Sequence, residues 1–202
     1  MARTVFGVGL GVIGVAYLAL ALRQPCAPLV AAFTFAAYVG VYTPLKSRTP
    51  LNTLVGAVPG ALPPVIGWTA VTGRLDVGAL ALFLIVFVWQ VPHFLAIAWM
   101  YRDDYARAGF RMLPVRDARG ELTGREMVRY CLVLIPVSLL PAALGLAGPL
   151  SAAAALVLGG LFLRSCVGFV RCPALPQARR VPRASLFYLP CLLLVLVVNG
   201  GR

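Results

Sequence analysis

The sequence predicts an all-α protein, a polytopic membrane helical bundle of about seven transmembrane helices forming one integral membrane domain over residues 1–202. Three observations predict it. Hydrophobic residues make up 61% of the chain and charged ones 12%, where a soluble domain carries about a quarter charged. Mean hydropathy is +0.91. Apolar segments recur at 5–22, 26–43, 53–71, 78–100, 130–147, 151–170 and 184–198, each near the length that crosses a hydrocarbon core about 30 Å thick. Helices follow, because a lipid-facing backbone must satisfy its own hydrogen bonds.

The basic residues fix an orientation. With the N-terminus inside, the inner side collects Arg3, Lys46 and Arg48, seven arginines between 102 and 129, and Arg171, Arg179, Arg180 and Arg183. The outer side keeps Arg23, Arg74 and Arg202, while Arg164 lies inside a span. Fourteen against three is the positive-inside pattern. It accounts for the net charge of +12 without a nucleic-acid partner. The orientation is N-terminus in, C-terminus out.

Along the chain, segment 5–22 has only Arg3 as a basic flank and no convincing small-residue cleavage site, which argues against a secretory signal. Segment 53–71 contains Pro59, Gly60, Pro63, Pro64 and Gly67, so its helix must be broken, either lining a cavity or packing closely through small residues. Segment 78–100 holds Gln90 and His93 among apolar side chains, and polar groups at that depth face a partner helix or a cavity. In ELTGRE, Thr123 and Glu126 have the spacing of a capping box opening the next helix. RCPALPQARRVPR, with three prolines, reads as an irregular connection before the last span. The five cysteines are scattered and His93 is the sole histidine, which excludes a multi-histidine metal site.

The chemistry concentrates in WQVPHFLAIAWMYRDDYARAGFRMLP, residues 89–114. Gln90, His93, Ile97, Tyr101 and Asp104 fall within an arc of about 80° if one helix continues to Asp104. Such a stripe joins polar groups in mid-membrane to acids at the inner surface. A lone buried histidine bonded to a neighbouring helix is the bland alternative. Asp103 and Asp104 are adjacent, either as ion-paired surface groups or as ligands for Mg²⁺, which binds through one or two carboxylates plus substrate phosphates. Arg102, Arg107 and Arg111 would then neutralise phosphate oxygens through bidentate contacts. YTPLKSRTPLN adds Lys46 on the same side, with Tyr42, Thr43 and Asn52 as neutral donors. Lys46 equally satisfies the inside rule alone.

YVGVYTPLKSRTPLNTLVGAVPGALPPVIGW, WQVPHFLAIAWMYRDDYARAGFRMLP and RYCLVLIPVSLLP resemble the protohaem IX farnesyltransferases (haem O synthases), within the UbiA superfamily of intramembrane prenyltransferases. The likeness is strong over residues 38 to 145. It implies transfer of farnesyl from farnesyl diphosphate to a vinyl group of haem B, giving haem O and diphosphate, with Mg²⁺ as cofactor. Asp103 and Asp104 then occupy the family's second acidic motif and are expected at the metal and diphosphate. Lys46 is expected on the diphosphate, with Tyr42 and Asn52 near it. Gln90 and His93 fall in the Trp-Gln-x-Pro-His-Phe pattern, with His93 a candidate to hold the porphyrin or its iron. Tyr101, Arg102, Tyr105, Arg107 and Arg111 complete the expected substrate contacts, and Phe83, Phe87 and Phe94 are candidates to line the farnesyl tail. Haem A synthase and cytochrome oxidase assembly proteins are the implied protein partners.

In one respect the chain departs from this family, whose members have nine spans and a first acidic motif, Asn-x-x-x-Asp-x-x-x-Asp, after the second. No such motif occurs here. The expectation is an N-terminally truncated enzyme, beginning at the family's third span and impaired by itself. Two rivals are a UbiA-type enzyme acting on a quinone precursor or chlorophyllide, and a non-enzymatic membrane transporter or assembly factor.

Overall fold

The computed structural model describes residues 2–22, 24–45, 49 and 52–200, with side chains from residue 6 onward. Helix α1 (Ala2–Ala21) leads to α2 (Cys26–Ala36), which runs without interruption into a π-helical turn (Ala37–Tyr42) and α3 (Thr43–Leu45). Two short helices, α4 (Asn52–Gly60) and α5 (Pro63–Thr72), share one crossing, and α6 (Val77–Met100) is a single 24-residue helix. Two surface helices follow, α7 (Arg102–Arg107) and α8 (Leu113–Arg116). Three long helices, α9 (Glu121–Ala143), α10 (Pro149–Arg171) and α11 (Leu175–Val198), complete the chain. Among the described residues, six crossings are long and apolar enough to span a membrane, and Phe6–Ala21 forms a shorter apolar helix. The protein is a multi-pass membrane bundle, as the sequence predicts.

Helix α6 organises the rest. Its start is fixed by Asp76, whose carboxylate accepts the backbone N–H groups of Gly78 (3.0 Å) and Ala79 (3.2 Å), satisfying donors that a helix N-terminus leaves open. Half of its most apolar stretch is buried, against 22–33% in the other spans, so it is the central helix. One side of it packs on α9, α10 and α11 around Leu95, Trp99, Met127, Phe162, Phe169 and Tyr188. Close approach there depends on small residues: a Cβ on Gly159 would lie 2.8 Å from Ile135 and one on Gly124 2.9 Å from Val170. Without a hydrophobic force between helices in lipid, such close packing carries the association. Polar ties reinforce it, with Trp89 Nε1 donating to the Ser185 carbonyl (2.9 Å) and Ser138 bonded to the Tyr188 hydroxyl.

Four sequence expectations are corrected here. The fifth and last spans begin about nine residues earlier than hydropathy suggests, at Glu121 and Leu175. The proline-rich connection is helical from Leu175, because Pro176 sits in the first turn, where no donor is needed. Ala178, Val181, Ser185, Tyr188 and Leu192 then form one buried face at helical spacing. The capping box at Thr123 does not form. Asp117, buried, accepts the Thr123 N–H at 2.7 Å and caps α9 from outside, while Glu126 pairs with Arg129 at 2.5 Å. The stripe on α6 is also interrupted. Tyr101 leaves helical geometry (φ −110°, ψ 25°), and α7 starts on a new axis.

Candidate active site

On the other side of α6 lies a cavity of about 370 Å³. The broken crossing of α4 and α5 forms one wall through Asn52, Thr53, Gly56 and Gly60. Gln90, Phe94 and Ile97 form the α6 wall, Tyr38 and Tyr42 come from the π-helical turn, and Tyr105, Phe110 and Met112 close the end beneath α7. The proline-broken helix thus lines a cavity and packs closely as well. A π-turn widens the helix by one residue per turn. Here it carries two tyrosines one turn apart, their ring centroids 5.2 Å from each other.

Gln90 is buried in this wall, and its amide nitrogen donates to the carbonyls of Val86 (3.0 Å) and Ala57 (3.3 Å). Both protons are thereby used, so Oε1 is the polar atom left to offer. Gly60 makes room for it, since a Cβ there would sit 2.2 Å from that oxygen. Gly56 does the same for Tyr42, whose ring would lie 2.5 Å from an added Cβ. Asn52 is buried and its Oδ1 accepts from the Thr53 hydroxyl at 3.2 Å. Tyr105 is held edge-on against Phe110 at 5.6 Å, and the Phe110 N–H returns to the Tyr105 carbonyl at 3.0 Å. Among the described residues, the cavity is therefore a pocket of neutral polar groups over apolar walls, with no charged side chain in its lining.

Of the residues expected from sequence, the structure brings together Tyr42, Asn52, Gln90 and Tyr105. Asp103 and Asp104 stand exposed on α7 immediately before Tyr105, with Asp104 paired to Arg107. Arg111 is exposed on the following loop. Lys46 and Arg48 lie outside the described residues. Three others are placed elsewhere. Tyr101 is 55% exposed and does not reach the cavity. Arg102 is folded over the Trp99 ring, 4.5 Å from its centroid, and donates to the Trp99 carbonyl at 3.4 Å. That ring in turn packs edge-on against Phe169, so the guanidinium is committed to the α10 side. His93 faces α11: its Nδ1 lies 2.5 Å from Ser185 Oγ, and Trp89 stacks on it at 5.2 Å. The Ser185 hydroxyl donates to the Pro182 carbonyl at 2.8 Å. Its single proton is spent there, so Nδ1 must be the donor to Oγ and Nε2 keeps the lone pair. The helical offset accounts for this placement, because position 93 is turned about 100° from Phe94 and faces the next helix.

Sequence reasoning did not single out Tyr38, Thr53, Phe110 or Met112. Tyr38 was findable, one turn before Tyr42 on the same helix. No group of three or more His, Cys, Asp or Glu side chains able to hold a metal occurs among the described residues. Two carboxylates on one short helix nevertheless suit an ion that draws its remaining ligands from a substrate phosphate and water.

Comparison with known proteins accords with this architecture. The UbiA prenyltransferase family matches residues 2–196. A protoheme IX farnesyltransferase of Solibacter usitatus is 49% identical over 185 residues, which is 92% of this chain and 63% of that protein. One from Koribacter versatilis is 47% identical, covering 92% of this chain and 62% of its own length. A third, from Sorangium cellulosum, is 42% identical over 96% of this chain and 69% of its length. The chain thus spans a little under two thirds of the first two relatives. A solved structure from work on digeranylgeranylglyceryl phosphate synthase in membranes superposes with a TM-score of 0.78 over 96% of this chain and 67% of that one. At 17% identity it speaks for the fold alone. With a family match over nearly the whole chain and a helical bundle of the corresponding fold, this chain belongs to the UbiA prenyltransferase family.

Proposed function

We propose that this chain carries the catalytic cavity of a protohaem IX farnesyltransferase, which moves farnesyl from farnesyl diphosphate to a vinyl group of haem B and yields haem O and diphosphate. One observation carries the reading: a pocket of neutral polar groups inside the membrane lies directly beneath a helix bearing two adjacent carboxylates. A diphosphate ester with a long apolar tail needs that polarity profile, charge at the edge and a dry interior beyond it. The similarity to curated protoheme IX farnesyltransferases supports haem B as acceptor.

In this reading the diphosphate sits at the α7 end, on the cytoplasmic side of a bacterial inner membrane. Asp103 and Asp104 would hold Mg²⁺ there, and the ion would supply charge neutralisation for the leaving group. Arg107 and Arg111 lie on the same exposed stretch. Arg107 exchanges its Asp104 partner for a phosphate oxygen when substrate arrives. The Tyr42 and Tyr105 hydroxyls and the Asn52 amide orient the diphosphate from the cavity side, fixed by Gly56 and Phe110. Phe94 and Ile97 exclude water, which protects the allylic cation left when the carbon–oxygen bond breaks. Gln90 Oε1 and the tyrosine oxygens face that cation with partial negative charge, the electrostatic contribution that usually dominates such catalysis. His93 acts from behind, holding α6 to α11 through Ser185.

Membranes containing the protein are to be incubated with labelled farnesyl diphosphate and equimolar haem B and quinone precursor. Label appearing in haem O, dependent on Mg²⁺, is the expected result. Label in the quinone precursor would overturn the acceptor assignment, and label in neither, together with no Mg²⁺-dependent binding of farnesyl diphosphate, would overturn the activity.

A further inference from the structure

A second cavity, about 800 Å³, lies between α10 and α11 and shares no lining residue with the first. Its walls carry three arginines: Arg164 and Arg171 on α10 and Arg180 on α11. Arg171 ends α10 and sits at the membrane edge. Arg164 lies seven residues back, about 10 Å deeper, and Arg180 lies five residues into α11, about 8 Å from its start. The two deeper guanidinium stems therefore face the groove at similar depth, from opposite walls. Arg164 breaks the positive-inside pattern by standing within a span, where an arginine is costly unless it reaches a polar partner.

No carboxylate supplies that partner. Among the described residues, the acidic side chains that form ion pairs do so with Arg74, Arg107, Arg119 and Arg129. Among the described residues, Arg180 donates only to Gln177, at 3.2 Å. The groove is open at its two glycines: a Cβ on Gly160 would meet nothing within 4 Å, and one on Gly168 only Gln177 Oε1 at 3.4 Å. Beyond the arginines the walls turn apolar and lipid-facing, with Leu161 50% and Phe187 60% exposed.

We propose that this groove binds an anionic phospholipid, its phosphate between Arg164 and Arg180 and its acyl chains along Leu161 and Phe187. Charge complementarity selects an anion, and basic pockets between membrane helices hold such headgroups. The continuous apolar wall selects an amphiphile over free phosphate, which would leave that wall uncovered. The depth of the two arginines matches a phosphate just below the membrane surface, reached by extended arginine stems. The site stands independently of the proposed reaction.

The test is native mass spectrometry of the purified protein released from nanodiscs containing phosphatidylglycerol and phosphatidylcholine. Wild type is expected to retain phosphatidylglycerol at least about tenfold over phosphatidylcholine, and Arg164→Gln/Arg180→Gln to lose that preference. Arg179→Gln/Arg183→Gln removes the same charge from α11 outside the groove and is expected to keep it. Gly168→Leu, which fills the groove without altering charge, is expected to lose it, so the outcome does not hang on one variant. Equal retention of both lipids by wild type, equal loss in both arginine pairs, or displacement of phosphatidylglycerol by haem B would overturn the assignment.

Discussion

The two sides of α6 are built differently. Toward α9, α10 and α11 it meets a continuous core of large buried side chains, tied by Trp89, Ser138, Tyr188 and Ser185. Toward α2, α4 and α5 the buried cluster shrinks to Val30, Val65 and Ala79. That second side has a proline-broken crossing, a π-turn and a cavity in place of a core. One helix thus serves as scaffold on one face and as site wall on the other. Precision at Gln90 and Phe94 is borrowed from the packed face, because a site is held best on an element that cannot shift.

The same deletion on each side should therefore cost different amounts. Phe162→Ala opens a void beside Tyr188, whose ring centroid is 5.8 Å away, and should lower stability by about 3–5 kcal/mol. Phe83→Ala, half-buried on α6 against the Val30, Val65 and Ala79 cluster, should cost about 1 kcal/mol. Unfolding in detergent by denaturant titration measures both. Equal costs would erase the distinction between scaffold and site.

Changes to the acids should do the reverse. Asp103 and Asp104 are exposed and contribute little to packing, so Asp103→Asn/Asp104→Asn should leave the melting temperature within a degree or two. Mg²⁺-dependent binding of farnesyl diphosphate should fall about 100-fold, equivalent to about 2.7 kcal/mol. Unchanged binding by calorimetry would detach the acid pair from the cavity. Between these extremes is Gly60→Ala. The added Cβ would collide with Gln90 Oε1 and force the amide off the Ala57 carbonyl. About a tenfold loss of turnover is expected, near 1.4 kcal/mol, with the scaffold's stability retained.

The packed side was the more legible in the sequence. Its spans follow from hydropathy, and what escaped was where arginine-bearing first turns join them, since Arg125, Arg129, Arg179 and Arg180 read as loop although Met127 and Val181 beside them are core. Asp117 as a cap was invisible for another reason: it lies six residues from the N–H it accepts, beyond any local motif. On the site side the residue types were legible and their directions were not. Gln90, Tyr42, Asn52 and Tyr105 converge on one cavity, but the π-turn alters which face Tyr38 and Tyr42 share, and Tyr101 ends the helix that was to carry the stripe to Asp104.

His93 sharpens the same boundary. It sits between the two faces, its ring against Trp89 and edge-on to Phe94 of the cavity wall. His93→Ala should lower stability by about 1 kcal/mol through the lost bond to Ser185 and leave haem B affinity unchanged. A tenfold drop in haem affinity, read from the Soret band on titration, would move His93 into the binding machinery.

The smallest expected effect comes from the helix start that both faces share. The Asp76 carboxyl is held below its ordinary range, chiefly because its charged form accepts the Ala79 N–H. Desolvation opposes this, and the Gly78 N–H and Arg74 guanidinium add to it. A depressed carboxyl contributes stability that is complete above the unfolded-state value and is lost as pH falls through the folded one. The melting temperature should therefore decline as acid carries the solution from the ordinary carboxylate range downward. Asn caps a helix about as well as Asp, so Asp76→Asn should keep α6 intact at neutral pH and remove this part of the acid dependence. If the variant loses stability at neutral pH as well, the charge of Asp76, beyond its cap geometry, sets where α6 begins.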